Sequence, residues 1–251
     1  MDCLCIRARL SHTVDRSPRR RQLHAPISHN PIADLSGRSC PSSASAGAKL
    51  RGGIAGKALS KVIFVGHSHG SILGGYMAAD CPSDFAAIIL TGFGNSVAPT
   101  AASVNQTTLF PASKYTPRVA GLRLGYMSMS SKDGRRSYFY GPPSSFDQRL
   151  FLLNFNTEDD LGLGRIFSLG AGLKTASAYT GPVFVITGAE NDVFCINAQC
   201  GTASSSPPAM AGSLFSKSSK FSYFQPASMG HSINLHYRPA VFSAGVQVPS
   251  R

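Results

Sequence analysis

The 251-residue sequence predicts an α/β fold built on a mainly parallel sheet. Three apolar runs carry this prediction: Val62-Ile63-Phe64-Val65, Phe85-Ala86-Ala87-Ile88-Ile89-Leu90 and Pro182-Val183-Phe184-Val185-Ile186. They are short and rich in β-branched or aromatic residues, as strands covered on both faces are. A helix-like run of small residues, Ser71 to Ala79, lies between the first two and ends near Asp80, where Cys81-Pro82 breaks the chain. A strand, a helix and a strand within about thirty residues form a βαβ unit, which implies parallel pairing.

Length and composition bound the rest. The chain is long enough for one domain with a full core. Hydrophobic residues make up 43%, and no apolar run reaches the length of a membrane span, so none is expected. The net charge of +12 is uneven, because residues 1–60 hold ten Lys/Arg against three Asp/Glu. Those basic residues lack interleaved aromatics and a recognisable nucleic-acid module, so a nucleic-acid partner is not expected. Oligomeric state is not legible.

In chain order, residues 1–48 are expected to be a disordered basic tail. Stretches such as Ser17-Pro18-Arg19-Arg20-Arg21 and Ser42-Ser43-Ala44-Ser45-Ala46-Gly47-Ala48 have no helix or strand period and cannot offset the entropy of ordering. The tail shares the Arg- and Ser-rich, acid-poor composition of a transit peptide, while Met1 to Leu10 lacks the apolar core of a secretory signal. Residues 49–251 are expected to form the domain, with Leu50 to Ser60 a glycine-containing lead-in. Residues 93–180 break the strand–helix rhythm: short apolar clusters, Leu122 to Met127 and Ser137 to Tyr140, sit among Gly, Pro and Ser, and Phe146 to Phe155 reads as a helix. This stretch is expected to be a cap inserted over the sheet. After the strand at 182–186, Ala209 to Lys217 reads as a helix, Phe221 to Gln225 as a last strand, and Ile233 to about Val246 as a helix-like tail interrupted by Pro239.

The chemistry centres on Gly66-His67-Ser68-His69-Gly70. It fits G-x-S-x-G, which sets a serine in a strained turn between a strand and a helix. The flanking glycines remove side chains that would collide there. A serine hydroxyl needs a base to take its proton, and the base needs a carboxylate to orient it. Asp192 and His231 each follow a predicted strand, so Ser68, Asp192 and His231 would meet at one sheet edge, the edge where parallel sheets bind ligands. Glu190 competes with Asp192 as the acid, and His236 with His231 as the base. Asp192 is preferred because it lies further past the strand end. His231 is preferred because His236 falls within the following helix-like run, where packing or capping is its expected role. His67 and His69 form His-x-His, but no carboxylate or cysteine is spaced to complete a metal site. Cys195 and Cys200 are close enough to close a small disulfide loop, which would argue for an oxidising compartment and a secreted ancestor. The compartment itself is not legible.

These motifs resemble the α/β-hydrolase fold superfamily, in particular the fungal serine hydrolases of the AB-hydrolase type. The similarity covers residues 50–247 in four blocks: Lys61 to Ser71, Asp84 to Gly92, Gly181 to Cys195 and Gly230 to His236. It implies an α/β-hydrolase-like parallel sheet with a cap insertion and a serine hydrolase acting on a small ester-like molecule through an acyl-enzyme. Ser68 would be the nucleophile, Asp192 the acid and His231 the base, the N–H of His69 would be an oxyanion donor, and no cofactor is implied. One departure stands out. Such enzymes carry several strands before the elbow, with a loop that supplies a second oxyanion N–H. Here the organised sequence begins near residue 50, and Arg51-Gly52-Gly53 lies too close to the elbow strand to serve. The N-terminal part of the sheet is therefore expected to be missing or replaced, with the elbow strand left exposed at an edge. The alternative expectation is a truncated, catalytically inactive hydrolase-like protein.

Overall fold

The computed structural model describes residues 3–8, 61–98, 109–115, 119–129, 131–158, 160–170, 173–195, 197, 200–201 and 203–237. Its main sheet has five strands, β1 (Cys3–Ala8), β2 (Lys61–His67), β3 (Ala87–Thr91), β7 (Val183–Ile186) and β8 (Phe221–Phe224), side by side in that order. Every pairing is parallel, with Phe64 opposite Ile88, Leu90 opposite Val185 and Val183 opposite Phe221. Helix α1 (His69–Asp80) makes the crossover from β2 to β3.

The expected strands are present, with two differences. β3 begins at Ala87, because Phe85 turns into the core against the Phe64 ring, centroids 5.3 Å apart. β2 is not buried evenly on both faces. Val62 and Phe64 pack with Ile72, Ile88, Leu90, Val183 and Phe215, while Ile63 and Val65 on the other face are half-buried. The second face is closed toward β7 and β8, where Ile186, Met229 and Ile233 pack with Ile89, Phe184 and Phe224.

The expected exposed edge is corrected. β1 lies alongside β2 in parallel register, from Cys3 opposite Lys61 to Ala8 opposite Gly66. It falls within the stretch read as disordered; residues 9–48 and the lead-in at 49–60 lie outside the described residues. Pairing of this kind covers backbone groups that an edge strand would present to other chains.

Between β3 and β7 the chain builds the cap. A small antiparallel sheet joins β4 (Leu109–Pro111), β5 (Tyr126–Met129) and β6 (Leu161–Gly162). Four short helices accompany it: α2 (Ala112–Tyr115), α3 (Lys132–Phe139), α4 (Gln148–Asn156) and α5 (Leu163–Ser168). Ser131 and Asp147 start α3 and α4 by accepting the N–H groups of Gly134 and Arg149, as N-caps do. Arg135 on α3 pairs with buried Glu158 at 3.1 Å and donates to Asn154 on α4, so the cap has its own polar clamp. The expected helix over 209–217 becomes α6 (Pro207–Met210) followed by a 3-10 turn (Ala211–Phe215), since Gly212 weakens a longer helix. The expected tail helix is a single 3-10 turn (Ile233–Leu235) as far as residue 237; its remainder lies outside the described residues.

Candidate active site

The site sits at the C-terminal ends of β2, β3, β7 and β8. β2 ends at His67 and α1 begins at His69, leaving Ser68 alone in the turn at φ 54°, ψ −122°. A serine rarely adopts positive φ, and such strain collects where function requires a particular side-chain position. The turn is closed by backbone: the Ser68 N–H donates to the Thr91 carbonyl at 2.9 Å. A Cβ on Gly66 would lie 2.6 Å from the Gly70 carbonyl oxygen, so only glycine allows this approach. The Ser68 hydroxyl does not cap the helix. The N–H of His69, first residue of α1, is one of those a helix start leaves without an intrahelical partner.

His231 follows β8 and is buried at 1% exposure. Its ring packs against His67, Phe139 and Phe194, with centroids 5.0, 5.5 and 5.9 Å away. Burial, with the nearby His67 and Arg135, holds its pKa well below the usual histidine value. Its Nε2 has no hydrogen-bond partner among the described residues, so Ser68 and His231 stand at one edge without a bond between them.

The Nδ1 of His231 is met by Asn191, whose Nδ2 donates to it at 3.0 Å. Asn191 is fully buried, and its Oδ1 accepts the N–H groups of Val193 and Phe194 at 2.9 and 3.0 Å. This is an Asx turn, which Asn favours at such positions. Asp192, the expected acid, is the next residue and is half-buried, as is Glu190. Asn191 was missed in the sequence. Its one signal was the turn-forming residue type itself, which Asp192 shares. A Cβ on Gly188 would lie 2.1 Å from the Met229 carbonyl oxygen, so this glycine lets the β7 and β8 loops touch.

His236 does not compete as the base. Its Nε2 accepts the N–H groups of Gly141 and Gly230, and its Nδ1 donates to the Ser232 carbonyl. It packs and bonds as expected, though in an extended residue after the 3-10 turn. His67 turns its Nδ1 to Thr91. Among the described residues, no cluster of three or more His, Cys, Asp or Glu is placed to hold a metal. No described helix is long and apolar enough to cross a membrane.

Ser68 and His69 open into a cavity of about 140 Å³ between the sheet edge and the cap. Its walls are mainly apolar, with Ile72, Val97, Met127, Met129, Ile166 and Val193 among them. His69 faces it with both ring nitrogens buried and without hydrogen-bond partners among the described residues, and burial plus the Arg165 charge lower its pKa to about 4.

No protein-family model matches the chain, and no curated protein matches it in sequence. Solved structures do match in fold. BpoC of Mycobacterium tuberculosis H37Rv, assigned as a non-heme bromoperoxidase, aligns over 81% of this chain and 69% of its own, at 13% identity and a TM-score of 0.51. A monoacylglycerol lipase from Paleococcus ferrophilus aligns over 81% and 70%, at 13% identity and a TM-score of 0.50. The chain has an α/β-hydrolase fold. Within that fold, the β2–α1 turn carries Ser68, the β7 loop carries Asn191 and Asp192, and the loop after β8 carries His231. The α/β-hydrolase sheet here also has β1 beside the elbow strand.

Proposed function

We propose that the chain is a serine hydrolase that cleaves a carboxylic ester or related acyl bond through an acyl-enzyme. Ser68 Oγ attacks the acyl carbon while its proton passes to His231 Nε2. The N–H of His69 donates to the oxygen that becomes negative. The alcohol leaves with the proton from His231, and water then releases the acid by the same route in reverse order. Asp192 is assigned as the orienting acid; Asn191 meets His231 Nδ1 in this structure, so Asp192 would have to take that place for Nε2 to accept the proton. The observation that carries this reading is Ser68 itself, strained in the β2–α1 turn, its hydroxyl uncommitted to the helix and open to the cavity. The apolar cavity favours an uncharged acyl group of modest size; a cavity of about 150 Å³ is enough to admit benzene.

Labelling with a fluorophosphonate probe tests the reading. The full chain should be labelled and the Ser68→Ala variant should not. A folded chain that is labelled neither as the wild type nor as Asn191→Asp would overturn it. One observation favours a second reading, a catalytically silent α/β-hydrolase-fold protein: an amide, rather than a carboxylate, meets His231 Nδ1. Absence of labelling would support that alternative.

A further inference from the structure

We propose that Asn191 fixes the tautomer of His231, placing the ring proton on Nε2, so that the chain rests with its base unable to accept a proton. The catalytic consequence rests on the serine-hydrolase reading; the tautomer assignment does not.

The argument is one of donors and acceptors. An asparagine side chain has one oxygen that accepts and one NH₂ that only donates. Which end faces which neighbour is read from the surrounding bonds. Here the oxygen is committed, because two backbone N–H groups, those of Val193 and Phe194, point at it. Turning the amide over would set its NH₂ against both donors. The NH₂ therefore faces His231 Nδ1 at 3.0 Å, and Nδ1 must accept. A neutral imidazole carries a single ring proton, so that proton sits on Nε2. A doubly protonated ring is disfavoured, since it would bring N–H against N–H. Asn191 and His231 are 0% and 1% exposed, so water has little access to substitute for either partner. The charged or titratable groups around the ring, His67 from β2 and Arg135 from α3, disfavour added positive charge on it, and the hydrogen bond that Nδ1 makes is the one from Asn191.

A base in this position needs its lone pair on Nε2 to take the Ser68 proton. The tautomer held by Asn191 puts a proton there instead. In Asn191→Asp, one carboxylate oxygen keeps the Val193 and Phe194 bonds while the other accepts a proton from Nδ1. The ring proton moves across, and Nε2 becomes the acceptor. Loss of the correct tautomer in a serine triad costs about 10⁴-fold in turnover. Restoring it should therefore raise the rate of Ser68 labelling by roughly 10²-fold or more. Asn191 is thus a positioning residue, acting only through His231.

The direct measurement is the ring ¹⁵N spectrum of the full chain labelled at histidine, with His231 assigned from its loss in His231→Gln. His231 should show a protonated Nε2 and an unprotonated Nδ1. His236 is an internal control: it accepts at Nε2 and donates from Nδ1, so it should give the opposite pattern in the same spectrum. Asn191→Asp should invert His231 and leave His236 unchanged. Asn191→Ala, which removes the donor without adding an acceptor, should release His231 from the wild-type pattern. A wild-type His231 protonated on Nδ1, or a His231 that ignores both substitutions, overturns the proposal. If the spectra follow expectation but Ser68 is labelled in neither the wild-type chain nor Asn191→Asp, the tautomer assignment stands and the serine-hydrolase reading fails.

Discussion

Two buried histidines five positions apart have opposite roles because their neighbours differ. His236 is satisfied at both nitrogens, joining Gly141 in the cap, Gly230 in the β8 loop and the Ser232 carbonyl. Replacing it with leucine removes all three bonds and takes this partner from the buried Gly230 N–H and the part-buried Gly141 N–H, at about 1–3 kcal/mol each, while the Ser232 carbonyl keeps the Leu235 N–H. The His236→Leu variant should lose on the order of 3 kcal/mol of stability in urea unfolding; a loss below about 0.5 kcal/mol would contradict this. His231 is satisfied at one nitrogen only, Nδ1, where Asn191 donates to it. At this scale Ser68 was the most legible residue, because the glycines that its turn requires are written beside it. The identity of the residue against His231 was not legible. Glu190, Asn191 and Asp192 are adjacent polar residues, and which one turns inward is decided by an Asx turn that uses backbone donors two and three residues further on.

Among the elements, the β7 loop does most to shape the site. Thr187 ties it to the segment after β3, donating to the Phe93 carbonyl and accepting the Phe93 N–H. The Cys195–Cys200 disulfide closes the far end of the loop just past Asn191. A loop this short gives an entropic stabilisation of about 2 kcal/mol. Replacing both cysteines by alanine should lower unfolding stability by that amount, and an unchanged urea midpoint would show that the loop holds without the bond. The central strands were legible because their runs are short, apolar and β-branched. The cap strands were not, since two to four residues are too few to display a period. β1 was hidden for a different reason: its extended form goes with pairing to β2, a partner far away in sequence that local composition does not encode.

For the whole molecule, three histidines are neutral in the folded chain below the pH at which they would otherwise charge. Burial is the main cause at His69, His231 and His236 alike, and at His69 it brings the pKa to about 4. The unfolded chain takes up protons at these side chains below about pH 6.5, where the fold does not. Their contribution to stability is therefore full above about pH 6.5 and is lost as pH falls toward 4. The urea midpoint should decline across that window, and a flat midpoint would count against this account. β1 has a consequence of another kind. Ala8 and Lys61 are separated by 52 residues of chain, yet Ala8 lies beside Gly66. Closing so long a loop costs entropy before any contact rewards it. β1 should thus join the sheet late in folding, after β2, β3 and α1 have assembled from neighbouring sequence. Until it does, the strand that leads to Ser68 offers an open row of backbone donors and acceptors. A β1 from a second molecule could fill that row as well as the chain's own, so the order of folding makes refolding yield depend on protein concentration.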